Sequence, residues 1–178
     1  MPKGFRTFQA AQNTWDTQLY FPTPPTFLKN WEALITPAQN QFGNTSVSKR
    51  AELLLLINTL LNADKPLIQA LYTKESGLSE VRFEAEFARL THTISAFAAH
   101  IQKMAWEKTS VLSQEGKTLR KKRLPIGPVL VLGSSNFPLA YSTMGGDSVA
   151  ALAAGCCVVL KAHQIGRASC RERVSSPV

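Results

Sequence analysis

The sequence predicts an α/β chain in which a helical region leads into a βαβ unit built on parallel, buried strands. Three observations carry that expectation. Apolar residues recur at steps of four and three from Phe83 to Met104, which marks a long helix with one continuous apolar stripe. Two short runs, Val129-Leu130-Val131-Leu132 and Cys156 to Leu160, are apolar on both alternating sets, as parallel strands covered on both faces are. Between them lie a Gly/Ser/Pro turn and a run of small residues long enough for one helix. Strand, turn, helix and strand in that order form a βαβ unit, expected to cross over right-handed.

Residues 1–45 hold Pro22, Pro24, Pro25 and Pro37 and little sustained periodicity, so they read as a loop-rich lead-in with one short helix around Phe27 to Leu34. Residues 46–106 form the helical region. Ser46 or Ser48 suits the N-cap of KRAELLLLINTLLNA, whose apolar residues nearly encircle it and predict burial on several sides. Pro66 fits the first turn of the next helix, which runs to about Lys74, and Gly77 closes it. From Ser79 the striped helix begins, with Phe83, Phe87, Leu90, Ile94, Phe97, Ile101 and Met104 on one side. His92 and His100 lie eight apart, not at the i, i+4 spacing of a helical metal pair, so no metal site is expected. Residues 107–123 read as a hairpin around Gln114-Glu115-Gly116-Lys117. Residues 124–163 hold the βαβ unit: the punctuation Pro125-Ile126-Gly127-Pro128, strand Val129–Leu132, a tight turn Gly133–Pro138, a helix from Leu139 to Ala154 ended by Gly155, and a second strand from Cys156 to Leu160.

Composition narrows the function classes. With 44% hydrophobic and 18% charged residues, the 178-residue chain is a globular core-former. No apolar run is long enough to span a membrane, and MPKGFRTFQAAQNTW lacks the apolar centre of a secretory signal. Three cysteines, two of them adjacent, make no disulfide framework, and a cytoplasmic setting is expected. The net charge of +8 peaks at Arg120-Lys121-Lys122-Arg123. A nucleic-acid site would add stacking aromatics nearby; none is present, so the cluster reads as a solvated strand edge or subunit contact and no nucleic-acid partner is expected.

In an open α/β sheet, ligands bind outside the carboxyl ends of the strands. Two places qualify, the turn Gly133–Pro138 and the exit at Lys161 to His163. The turn lacks G-x-G-x-x-G, so the residues alone leave both a cofactor site and a purely structural βαβ unit open. The stretch LPIGPVLVLGSSNFPLAYSTMGGDSVAALAAGCCVVLKAH, however, resembles the start of the cofactor domain of the aldehyde dehydrogenase superfamily. The marks are P-x-G-P-V-x-V-x-G, S-N-F-P, G-G-D, A-L-A-A-G-C and V-V-x-K-A-H. It is most similar to the branch of the α-ketoglutarate semialdehyde and NADP-linked aldehyde dehydrogenases. KESGLSEVRFEAE resembles the helical region that precedes it, so the likeness covers about residues 45–163.

The resemblance implies a Rossmann-like, parallel-sheet cofactor domain and an enzyme that oxidises an aldehyde to a carboxylic acid with NAD or NADP. It also implies a homo-oligomeric parent. Asn136 then matches the amide that donates to the developing oxyanion when a cysteine thiolate attacks the aldehyde, and hydride transfer and hydrolysis of the thioester follow. Lys161 matches the lysine at the adenosine ribose or its 2′-phosphate. Leu132, Gly133 and Ser134 match backbone that lies along the cofactor. Gly145, Gly146 and Asp147 read as helix packing and polar support, Cys156 and Cys157 as packing thiols, and His163 as a residue with no catalytic duty. The nucleophilic cysteine and general-base glutamate of the family lie far downstream.

After Gln164 the pattern stops. Ile165 to Val174, IGRASCRERV, is the translation of a common sequencing adapter, so residues 164–178 are expected to be non-native. The chain then reads as a truncated N-terminal fragment without turnover of its own. Two readings of other classes stay open on the residues alone: a helical interaction protein using the Phe83 to Met104 stripe, and a basic nucleic-acid binder using Arg120 to Arg123. Neither accounts for S-N-F-P followed by V-V-L-K-A-H.

Overall fold

A computed structural model describes residues 8–15, 25–103, 111–114, 117–120, 123–141 and 143–161. At its start, β1 (Phe8–Gln9) and β2 (Thr14–Trp15) pair antiparallel around a short 3₁₀ turn, with Asn13 at φ 51°. Asparagine is among the few residues that take this left-handed conformation readily. Helix α1 spans Pro25–Gly43, well beyond the short helix expected in a loop-rich lead-in, and Pro37 lies inside it. Pro37 removes one helical N–H and crowds the preceding turn. A distant anchor offsets that cost. Gln39 Nε2 donates to the carbonyl of Gly155 at 3.0 Å, and its Oε1 accepts from the N–H of Cys157 at 2.7 Å.

Ser46 caps α2 (Val47–Ala63), its Oγ accepting from the Lys49 N–H at 3.3 Å. Burial on several sides is not observed. Val47, Ala51, Leu54 and Leu61 are buried, whereas Leu55, Leu56 and Leu60 are exposed, because α2 packs on later helices along one side only. Helix α3 (Lys65–Ser76) carries Pro66 in its first turn and is closed, as expected, by Gly77 at φ 69°. Ser79 caps α4 (Glu80–Gln102). The predicted stripe is the core: Phe83, Phe87, Leu90, Ile94 and Ile101 are buried with Leu54, Leu139 and Val149, and Phe97 packs beside them. It is therefore covered by the chain's own elements and is no free docking face. Met104 lies outside the described residues.

Strands β3 (Val111–Gln114) and β4 (Lys117–Arg120) form the expected hairpin, with Gln114 opposite Lys117. Lys121 and Lys122 of the basic cluster lie outside the described residues. Strands β5 (Val129–Leu132) and β6 (Val158–Lys161) run parallel, Val129 opposite Val158 and Leu132 opposite Lys161, joined through α5 (Gly146–Ala154). Helix α5 starts at Gly146, not Leu139, because the N–H groups of Leu139 and Ala140 turn to the Glu86 carboxylate. The Gly146 N–H then closes on the Ala140 carbonyl at 3.1 Å. At the other end Gly155 is left-handed (φ 87°), and Cys156 N–H bonds Ala151 while Gly155 N–H bonds Leu152. This C-terminal cap holds Cys156 against the helix, so β6 begins at Val158 rather than Cys156. Nor are both faces of β5 covered: Val131 is 4% exposed, but Leu130 and Leu132 are 65% and 64% exposed, since the described sheet has two strands and helices on one side. Among the described residues no helix is long and apolar enough to cross a membrane.

Candidate functional site

At the carboxyl end of the strand pair the ladder continues one step past Leu132, with Gly133 N–H donating to the Lys161 carbonyl at 3.0 Å. Leu132 and Lys161 are exposed there and Gly133 is half-buried between them. The chain then folds back on itself. Ser134 N–H donates to the Tyr141 carbonyl at 3.0 Å, and Tyr141 N–H to the Phe137 carbonyl at 3.1 Å. Within this loop the Ser134 hydroxyl donates to Asn136 Oδ1. Asn136 is exposed, and its carboxamide Nδ2 is a neutral hydrogen-bond donor. All five residues singled out in the sequence, Leu132, Gly133, Ser134, Asn136 and Lys161, thus lie on the last positions of β5 and β6 or in the turn that leaves β5.

The turn is held from behind by a network that sequence reasoning missed. Glu86, 3% exposed on α4, accepts at Oε1 from the Tyr72 hydroxyl (2.9 Å) and Arg82 Nε (3.1 Å), and at Oε2 from the N–H groups of Leu139 (3.2 Å) and Ala140 (3.3 Å). A buried carboxylate persists only when its lone pairs are met in this way. Arg82 carries the support forward. Its Nη2 donates to the backbone carbonyl of Asn136 at 3.1 Å, and its guanidinium lies 4.3 Å from the centre of the Phe137 ring. Arg89 Nη2 donates to the Tyr141 hydroxyl at 2.7 Å, and the Phe137 and Tyr141 rings meet edge to face. The signal available was the spacing: Arg82, Glu86 and Arg89 fall at i, i+4 and i+7 on α4, alongside the apolar stripe.

Burial, then the bond to Glu86, pushes the Tyr72 hydroxyl well above the ordinary tyrosine value of 10.0. Above that value the unfolded chain gives up the proton while the folded chain keeps it, so alkali favours unfolding. The contribution is whole below about pH 10 and is lost as pH rises past it. Tyr72→Phe should therefore flatten the alkaline limb of stability, read as denaturant midpoints between about pH 9 and about pH 11. An unchanged alkaline slope would count against a buried Tyr72 hydroxyl that holds its proton.

Cys156 is buried and Cys157 half-buried, and burial pushes the Cys157 thiol up, away from the reactive thiolate. Gly145 is buried, in line with a packing role. Gly146 is not so constrained, because a Cβ there would meet nothing within 4 Å, and Asp147 is exposed on the first turn of α5. His163 and residues 164–178 lie outside the described residues. Among the described residues no cluster of three or more His, Cys, Asp or Glu side chains is placed to hold a metal ion.

The sequence model of the Aldehyde dehydrogenase family matches residues 29–173, running past Gln164. Alpha-ketoglutaric semialdehyde dehydrogenase of Acinetobacter baylyi is 38% identical over 130 residues, which are 69% of this chain and 25% of that protein. The chain thus spans about a quarter of this relative's length. Among solved structures, 1-pyrroline-5-carboxylate dehydrogenase from Thermus with bound NAD superposes with a TM-score of 0.80 at 19% identity, over 92% of this chain and 31% of that one. An NADP-dependent enzyme of E. coli superposes with a TM-score of 0.80 at 20% identity, over 99% and 37% respectively. At these identities the structural likeness establishes the fold.

Proposed function

Because the chain belongs to the aldehyde dehydrogenase family, we propose that the protein it represents oxidises an aldehyde to a carboxylic acid with NAD or NADP. The observation that carries this reading is the joining of the family match to one place in the fold, the shared carboxyl edge of β5 and β6 where Gly133 bonds Lys161. The chemistry of that edge fits a dinucleotide. A glycine leaves room for close approach of the backbone, and an exposed ammonium at a strand end suits ribose hydroxyls or a 2′-phosphate. Leu132, Gly133 and Ser134 would lie along the cofactor, with Lys161 at its adenosine ribose. The cofactor supplies the hydride acceptor.

The chain's own contribution to the chemistry rests on Asn136. Its Oδ1 accepts from the Ser134 hydroxyl, and its Nδ2 would serve as a neutral donor. Such a donor stabilises an oxyanion as it forms without holding an anion beforehand. The attacking cysteine and the general-base glutamate belong, on this reading, to sequence downstream of Gln164. The parent is read as a homo-oligomer. An α-keto acid semialdehyde is the first substrate to test, after the name of the Acinetobacter relative.

The experiment is to read the genomic frame past codon 164, express the extended protein, and follow nicotinamide reduction with that semialdehyde. Aldehyde-dependent reduction by the extended protein, and none by the 178-residue chain, is expected. An extended protein inert to aldehydes would refute the assignment, and turnover by the short chain would refute the placing of the nucleophile downstream.

A further inference from the structure

A second site lies at the opposite end of the strands, independent of the reading above. A cavity of about 640 Å³ opens beside the amino end of β5, lined among others by Thr45, Arg50, His100, Arg123, Pro125 and Ala154. Its volume falls in the range typical of small-molecule pockets. Arg50 is the unusual member. It is only 6% exposed, yet among the described residues its side chain makes one hydrogen bond, from Nη1 to the Thr45 carbonyl at 3.3 Å, and its buried Nε has no partner there. No carboxylate pairs with it among the described residues, whose ion pairs are Lys65–Glu84 and Arg82–Glu86.

A guanidinium taken out of water without a counter-charge costs several kcal/mol, and buried cations are accordingly found paired. Gly155, the cap of α5, lies against Arg50, and the partial negative charge of that helix end offsets only about half a unit charge. The carboxyl ends of α1, at Gly43, and of α4, at His100 and Ile101, line the same cavity and add partial negative charge, but no carboxylate there supplies a full counter-charge. The capped first turn of α2, at Ser46 and Val47, also lines the cavity and contains no acidic residue. Arg123 is exposed at the rim, and no Asp or Glu lines the wall. A buried unpaired cation, a helix amino end and a second arginine therefore face one roomy cavity from which acidic groups are absent.

We propose that this cavity binds a small organic anion through a phosphate or carboxylate group seated on Arg50. The test is titration of the 178-residue protein with inorganic phosphate and, separately, glutarate, by calorimetry and by thermal midpoint, against sodium chloride of matched ionic strength. Saturable binding by either anion, absent with chloride, is expected, and the tighter of the two tells a phosphoryl from a carboxylate ligand. Arg50→Gln should weaken it at least about tenfold, the loss of a charge-assisted contact. Should that variant fail to fold, Arg123→Gln at the exposed rim should weaken binding several-fold with the thermal midpoint of the free protein unchanged. Anion effects no larger than those of chloride, or binding that survives Arg123→Gln at full strength in a folded protein, would overturn the proposal.

Discussion

Replacing Glu86 by alanine is expected to destabilise the fold by roughly 3 kcal/mol or more, the range for breaking a buried ion pair. The change strands the Tyr72 hydroxyl, Arg82 Nε and the N–H groups of Leu139 and Ala140 at once. The Tyr72, Leu139 and Ala140 groups are buried and stay out of water once their acceptor is gone, whereas Arg82, with 40% of its side chain exposed, can turn to solvent. Glu84→Ala is the matched control. Glu84 pairs with Lys65 at 2.7 Å, but both side chains are well exposed, so its loss should cost about 1 kcal/mol or less. Urea midpoints give the comparison. Amide hydrogen exchange adds a local readout, since Leu139 and Ala140 should lose protection in Glu86→Ala and keep it in Glu84→Ala. Equal losses for the two glutamates would sink the assignment of Glu86 as the support of the turn.

Gly155→Val carries the second large expected effect, about 3 kcal/mol, from two sources. Gly155 has φ 87°, where a β-branched residue is strained by itself. In addition, a Cβ would fall 2.5 Å from Arg50 Nη1 and 3.1 Å from Pro125 Cγ. The arginine end can shift, whereas the proline ring is stiff, so the clash is relieved only in part. Combining Gly155→Val with Arg50→Ala separates the sources. The double variant should be less destabilised than the sum of the single ones by about 1 kcal/mol, a coupling of the size shown by touching residues. Strict additivity in thermal or urea unfolding would show that the Arg50 contact contributes nothing, leaving backbone strain and the Pro125 contact.

Much of the fold was legible because local physics wrote it into the sequence. Ser46 and Ser79 as caps, Pro66 in a first turn, Gly77 and Gly155 as left-handed ends, and the Phe83 to Ile101 stripe all leave short-range marks. The Gln114–Lys117 hairpin and the β5–β6 pairing did so too. What escaped were bonds between a side chain and distant backbone. Nothing near Leu139 announces that a carboxylate far back on α4 will take its N–H and delay the helix to Gly146. Nor does the sequence around Pro37 reveal that Gln39 will be fastened to the entry of β6. At the candidate site the strand ends pointed to the turn Gly133–Pro138 and the exit at Lys161, and the family resemblance to Leu132, Gly133, Ser134, Asn136 and Lys161 within or beside them, whereas Arg82 and Glu86 behind them were not singled out. Burial of charge depends on neighbours that periodicity does not encode.

The Gln39 clasp also bears on the order in which the protein assembles during synthesis. Its partners stand 116 and 118 residues further along the chain. Helix α1 contributes no residue to the buried core among the described residues, and Trp31 and Leu34 on it are exposed. While α2, α3 and α4 can collapse on one another as soon as they leave the ribosome, α1 has nothing to fasten to until Cys157 has been made. Closing so large a loop late is slow and entropically unfavourable. Of the described α-helices, α1 is thus translated first and docks last, and a nascent chain stalled before residue 157 would display α1 unpinned, open to chaperones and proteases.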